Sequence, residues 1–300
     1  MAEKTPLEDA VRVLTLEKTG SQGPVTDFQG ESLPFPTGRI YGGQIMSQAI
    51  MAAAQTTDEH REPNSIHGYY IRTGLLDQNV NFAVSNLRDG RSYSTRMVEV
   101  SQPDRSILQA LVSFQEAGQA GVVYADPIPQ DLPNPQDLQS AQDLMSPYAD
   151  KSAFANYYAN QSPFDIRHIT PTIMLGPDKE AQEHDSGHQL VWLRANGQME
   201  LSQTLQRSLL ALACDQLMME PALRRSGLSI ATPGISYASI DHSMWWYQDV
   251  DVCSWLLFVQ DTTVAAHGRA LCSARVYSQD GVLVSAMSQE AMIRIPENQK

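Results

Sequence analysis

Three polar side chains stand where the surrounding sequence is built for hydrophobes. Asp215 lies within SLLALACDQLMM, a run made almost wholly of Leu, Ala, Cys and Met. A carboxylate there needs hydrogen-bond donors or a raised pKa, so it is either a capped, paired group on a wetter side or a base poised to handle a water. Gln289 falls on an apolar strand face, because period-two alternation places it with Leu283, Met287, Ala291 and Ile293. A buried amide without partners costs about 1–3 kcal/mol, so it either ties down backbone at a strand end or serves a site. The stretch ASIDHSMWWY adds Ser239, Asp241, His242 and Ser243 to an otherwise apolar and aromatic strand. Alternation puts Ser239 and Asp241 on one face and His242 on the other, where the imidazole reads as a hydrogen-bonding residue at the strand edge. Motif grounds speak against a serine-hydrolase triad, since GISYA lacks the final Gly of a nucleophile elbow.

The elements that must position these residues occur twice. SQPDRSILQALVSFQE, residues 101–116, is echoed by SQDGVLVSAMSQE, residues 278–290, and a Gly-Arg start precedes each copy. Matching Ser65 to Ser239, Gly90 to Gly268, Ser101 to Ser278 and Gln115 to Gln289 gives offsets of 174, 178, 177 and 174. Near-constant offsets point to duplication. Each half reads as one helix, residues 41–55 and 201–219, followed by several strands, with hairpin turns at Asp89-Gly90 and Asp280-Gly281. That order predicts an α+β fold of helices on antiparallel sheet. The boundaries expected are 1–116 for the first unit, 117–161 for a connector rich in Pro, Asp and Gln, and 162–300 for the second unit. Helix one has no acidic residue to match Asp215, so one complete site per chain is expected.

A net charge of −13 and a pI near 4.9 argue against a nucleic-acid binder, and any polyanionic ligand must find local arginines. Cys214, Cys253 and Cys272 cannot all pair and show no CxxC spacing, which suits a reducing compartment and no structural zinc. MAEKTPLEDAVRVL lacks the features of a signal peptide, no apolar run approaches a bilayer span, and the terminal ENQK is no peroxisomal address. A cytoplasmic protein without membrane insertion is expected.

YGGQIMSQAI, SIHGYYIRTG, NLRDGRSYS, VWLRANG, LLALACDQLMM, ASIDHSMWW and SQDGVLVSAMSQE together resemble the acyl-CoA thioesterase II family, in the right order over nearly the whole chain. The resemblance implies a double hot dog fold, two repeats of a long helix packed on an antiparallel sheet. It also implies a catalytic set of Asp, Thr and Gln, which falls here on Asp215, Ser239 and Gln289. Serine replaces the threonine of many relatives, so the hydroxyl survives while its rotamer loses the restraint of a methyl.

The implied reaction is hydrolysis of fatty acyl-CoA without a covalent intermediate, needing no metal or diffusible cofactor. Asp215 would take the proton of a water, and backbone N–H groups at a helix N-terminus would meet the oxyanion. Met46, Met51, Met218, Met219 and Met244 read first as plain core and second as candidates to line an acyl tunnel, and Arg72, Arg91 and Arg269 are nominees to hold the CoA phosphates. Sheet edges and the family's habit point to a homo-oligomer. Two alternatives stand beside this reading. One is an acyl-CoA-binding regulatory module, against which the intact polar set speaks. The other is a hot dog enoyl-CoA hydratase, which needs an Asp and a His five residues apart; here Asp241 and His242 are adjacent and Asp261 and His267 are six apart.

Overall fold

The computed structural model describes residues 4–295, which leaves the first three residues and the whole of the terminal ENQK weighed above outside the described residues. Helix α1 (Pro6–Val13) starts with a capping box between Thr5 and Glu8 and leads into strands β1 (Glu17–Gln22) and β2 (Val25–Gly30). Helix α2 (Gly42–Ala54) follows, and then the meander β3 (Arg61–Tyr70), β4 (Val80–Asp89), β5 (Tyr93–Gln102) and β6 (Arg105–Glu116). After short helices α3 (Ala141–Met145) and α4 (Ala153–Asn156), the same order returns. Strand β7 (Phe164–His168), helix α5 (Lys179–Glu183) and strand β8 (Gln189–Ala195) precede helix α6 (Gln203–Cys214) and the short α7 (Glu220–Arg225). The chain closes with β9 (Ser236–Ser239), β10 (Asp241–Trp246), β11 (Leu256–Ala266), β12 (Arg269–Ser278) and β13 (Leu283–Arg294).

All ladders are antiparallel, and the strands form one sheet in the order β1-β2-β4-β5-β6-β3-β10-β13-β12-β11-β8-β7, with β9 on β13. The two halves join where β3 pairs with β10, from Asp241 opposite Tyr69 to Trp245 opposite Ser65. The repeat extends to a defect. Ile107 is an extra residue between β5 and β6, and Val284, 177 positions later, is an extra residue between β12 and β13. The second bulge corrects the face expected for Leu283, which packs with Tyr277, Leu257 and Trp255, whereas Met287 and Ala291 lie in the main core. Gln115 pairs with Tyr93 and Glu62 near the strand end, so it is no counterpart of Gln289; Val112, five residues past the first bulge as Gln289 is past the second, takes that place.

Helices α2 and α6 lie antiparallel inside the sheet. Small residues permit the close approach: a Cβ on Gly43 would meet the Leu212 carbonyl at 2.8 Å, and the Ser47 hydroxyl lies 2.7 Å from both the Gly43 and Ser208 carbonyls. The 201–219 helix stops at Cys214, so Asp215 is its C-cap rather than an interior residue. The 117–161 segment is more structured than a connector of that composition suggests. Ile128, Leu132 and Leu138 cover Trp192, Trp255 and Tyr277 on the outer sheet face, and the Trp192 indole donates to the Pro133 carbonyl at 3.1 Å. No described helix is long and apolar enough to cross a membrane.

Among the described residues of the first half, one charged side chain is buried. Arg96, 1% exposed, donates to the Thr56 carbonyl (2.9 Å), the Thr56 hydroxyl (2.8 Å), Asn86 (2.7 Å) and Asp89 (2.8 Å). Hydrogen bonds from Ser94 first, then Asn86 and Arg96, draw the Asp89 carboxyl down to about 2. Stability from that carboxylate is present above its unfolded value and is lost as pH falls towards about 2. Replacing Arg96 with Met strips partners from a buried network, so the variant should lose about 3 kcal/mol and keep its activity per folded molecule. Thermal unfolding unchanged to within a degree or so would disprove the role given to Arg96.

Candidate active site

The carboxylate of Asp215 meets three elements. Its Oδ2 accepts the Gly43 N–H at 2.8 Å, from the first turn of α2. Its Oδ1 accepts the Ser239 hydroxyl at 3.2 Å and Gln289 Nε2 at 3.1 Å. Helix α2 has no capping side chain of its own, since Tyr41 is its N-cap residue. Asp215 caps it from the end of α6, where the positive pole of α2 favours an anion.

Gln289, 1% exposed, is the hub. Its Nε2 also donates to Ser239 Oγ at 2.7 Å, and its Oε1 lies 2.6 Å from His242 Nδ1. The amide oxygen can only accept, so Nδ1 carries the proton and the donors run His242 to Gln289 to Ser239 to Asp215. Burial pushes the imidazole pKa below the ordinary histidine value, against the opposing pull of Asp215, Gln289 and Asp241. Cys214, beside Asp215, is buried, and burial followed by the neighbouring carboxylate pushes its thiol up, so it is no nucleophile.

Asp215, Ser239 and Gln289 are thus brought together from three remote segments. His242 joins them, contrary to the strand alternation. Ile240 interrupts the strand: β13 pairs Ala291 with Ser239 but Ser288 with Ser243, one residue out of step. That extra residue turns Ser239 and His242 towards the same side, while Asp241 turns away and accepts the Glu290 N–H at 2.9 Å.

Residues 32–115 match the acyl-CoA thioesterase N-terminal domain family, and residues 129–293 match the acyl-CoA thioesterase C-terminal domain family. The chain belongs to the acyl-CoA thioesterase II family. It is 29% identical over 292 residues to acyl-CoA thioesterase 2 of Haemophilus influenzae, covering 97% of this chain and 99% of that one. The acyl-CoA thioesterase II TesB2 of Mycobacterium marinum superposes with a TM-score of 0.74 at 26% identity, over 96% of this chain and 99% of that one. A hot dog protein of unknown function from Alicyclobacillus acidocaldarius gives 0.72 at 16% identity, over 96% and 98%, and shares the fold.

Within this thioesterase II fold the glycine pair of YGGQ explains itself by contact. A Cβ on Gly42 would lie 2.8 Å from Asp215 Oδ2 and 3.2 Å from the Tyr70 hydroxyl, which donates to the Gly42 carbonyl at 3.0 Å. The repeat pattern alone gave no sign of Gly42, Gly43 or Tyr70 as site residues; the two adjacent glycines at a helix start were the available signal. None of the five methionines lines the cavity beside Tyr41. Met46, Met218, Met219 and Met244 are buried core, and that cavity of about 610 Å³ is lined instead by Phe35, Tyr41, Gln44, Tyr157 and Leu212, among others.

Gly42→Ala should displace the carboxylate rather than unfold the chain, because the clash is with a side chain. A shift of about 1 Å at reacting groups costs up to roughly a hundredfold, so kcat should fall between ten- and a hundredfold with melting little changed. Steady-state kinetics showing wild-type kcat in this variant would contradict the geometry.

Proposed function

We propose that this acyl-CoA thioester hydrolase attacks its substrate directly with a water held by Asp215, Ser239 and Gln289, on a double hot dog scaffold of two repeats. The observation that carries the reading is the bonding of all three side chains to one another at the N-terminus of α2. Asp215 takes a proton from the water as its oxygen adds to the thioester carbonyl. Ser239 and Gln289 fix the direction of approach. Gly43 N–H is engaged by Asp215, whereas Gly42 N–H donates to no group among the described residues, which suits it to the developing oxyanion. Collapse of the adduct breaks the C–S bond, and the CoA thiolate, whose parent thiol has an ordinary pKa of about 8.5, leaves without a strong acid and regains a proton.

The alternatives fare less well. A ligand sensor has no use for a carboxylate, hydroxyl and amide aligned in one donor chain. A hydratase pair would share one substrate between Asp and His, and here the Gln289 amide lies between Asp215 and His242.

Asp215→Asn keeps the volume and removes the base, so kcat should fall a hundredfold or more while the fold persists. Ser239→Ala and Gln289→Ala should each cost somewhat less. Thiol release by the Asn variant above about a tenth of the wild-type kcat would assign the base elsewhere.

The CoA nucleotide needs cations on an acidic chain. Arg91 is at the wrong end: its carbonyl binds Arg61 at the start of β3, about 30 Å of strand from Tyr70. Arg269 is held by both oxygens of Glu290 at 3.1 Å. Arg72 fits, and Arg39, bridged through its backbone to Leu75, and Arg105, donating to the Thr73 carbonyl at 3.0 Å, converge on the same loop beside the start of α2. The cavity beyond Tyr41 offers its aromatic wall to the acyl chain. A homo-oligomer belongs to the same reading, since Tyr69, Met97 and Leu111 lie exposed on one outer sheet face that a second copy would cover. Arg39→Gln with Arg72→Gln should raise KM for acyl-CoA about tenfold and leave kcat/KM for the corresponding N-acetylcysteamine thioester unchanged. Equal losses on both substrates would remove the arginines from the nucleotide site.

A further inference from the structure

We propose that His242 is a positioning residue for hydrolysis: its Nδ1–H fixes which end of the Gln289 amide faces Asp215 and Ser239. The inference rests on the reading of Asp215, Ser239 and Gln289 as the hydrolytic set. An amide can lie either way round at little cost unless both ends are engaged. Turned over, Gln289 would press its oxygen on the Asp215 carboxylate and on the Ser239 oxygen, and it would lose its donor to a water-binding pair. The carboxylate on one side and the imidazole N–H on the other, at 3.1 and 2.6 Å, select a single orientation.

The repeat supplies the independent argument. Counted from the matching bulges, the first-half counterparts of Gln289 and His242 are Val112 and Ile66, which pair directly across β6 and β3. The fold therefore accepts two hydrophobes in this place. In the second half the chain instead buries an imidazole at 2% exposure and leaves its Nε2 with no partner among the described residues. An unsatisfied buried nitrogen costs about 1–3 kcal/mol, and a merely structural contact would not require it. Asp241, the neighbouring carboxylate, is directed to the Glu290 backbone and leaves the imidazole to Gln289.

The test is a set of variants at position 242 made with and without Gln289→Ala. His242→Leu removes the donor and should lower kcat ten- to a hundredfold with KM within twofold. His242→Asn, whose amide nitrogen sits near the Nδ1 position, should recover most of that loss. His242→Gln places its donor farther out and should not recover it, which keeps the comparison decisive even where the Leu variant fails to fold. In the Gln289→Ala background the change from His to Leu should cost less than a further twofold. A readout independent of turnover is the Gln289 side-chain NH₂ pair in ¹⁵N NMR, which should shift in the Leu variant and return in the Asn variant. Full kcat in His242→Leu, an undiminished penalty without Gln289, or unmoved NH₂ resonances would overturn the role. An inactive wild-type chain with the expected NMR shifts would instead overturn the hydrolytic reading.

Discussion

The site depends on one contact, the Gly43 N–H of α2 donating to Asp215 at the end of α6. A helix start leaves N–H groups without partners, and this one lacks a local cap, so the missing acceptor comes from a residue 172 positions away. The contact forms only if the helices nearly touch, and that requires Gly43 against the Leu212 carbonyl and Ser47 against the Ser208 carbonyl. Helix packing and carboxylate placement are therefore one event. The charge that must be kept in a half-buried position is held by a helix pole and three donors, so it needs no buried cation beside it.

At the other end of the helix pair the duplication takes the opposite course. Where α2 ends beside the start of α6, the Thr56 carbonyl is bound by Arg96 and the Pro63 carbonyl by Arg207, which also pairs with Glu62 at 2.8 Å. Arg96 thus meets a carbonyl just past the C-terminus of α2, and Arg207 one within β3. A carboxylate, a hydroxyl and an amide meet there too, in Asp89, Ser94 and Asn86, but the buried guanidinium of Arg96 binds that carboxylate as well. The polar cluster of the first half is built around a buried arginine, whereas that of the second half holds Asp215 by Gly43, Ser239 and Gln289 alone among the described residues.

Much of this was legible in the chain, and the part that was not has a physical cause. The repeat, the antiparallel order, helix α2 and the misplaced polarity of Asp215 and Gln289 follow from local periodicity, which reads burial well. The relation of Ser239 to His242 did not follow, because alternation assumes an unbroken strand and Ile240 breaks it. Leu283 failed for the same reason at Val284. A bulge is decided by the partner strand's register, so a single segment read alone carries little trace of it. Similarly, residues 117–138 look like a solvated linker by composition, yet Ile128, Leu132 and Leu138 are spaced to cover a tryptophan-rich sheet face supplied from elsewhere.

Ser239, where the resemblance implies a threonine, has its hydroxyl oriented by the same network. A β-branched side chain fixes its hydroxyl through its own rotamer, and serine lacks that restraint. Here the restraint is external: Ser239 Oγ accepts Gln289 Nε2 at 2.7 Å and donates to Asp215 at 3.2 Å, and because those two partners are themselves joined at 3.1 Å, they direct the hydroxyl hydrogen to the carboxylate. Two hydrogen bonds at about 1 kcal/mol each exceed the preference a methyl group adds to χ1. The arrangement transfers dependence from the residue's own shape to its neighbours. In this chain the orientation of the serine hydroxyl is only as secure as the orientation of the Gln289 amide, and the amide in turn is only as secure as the imidazole beneath it.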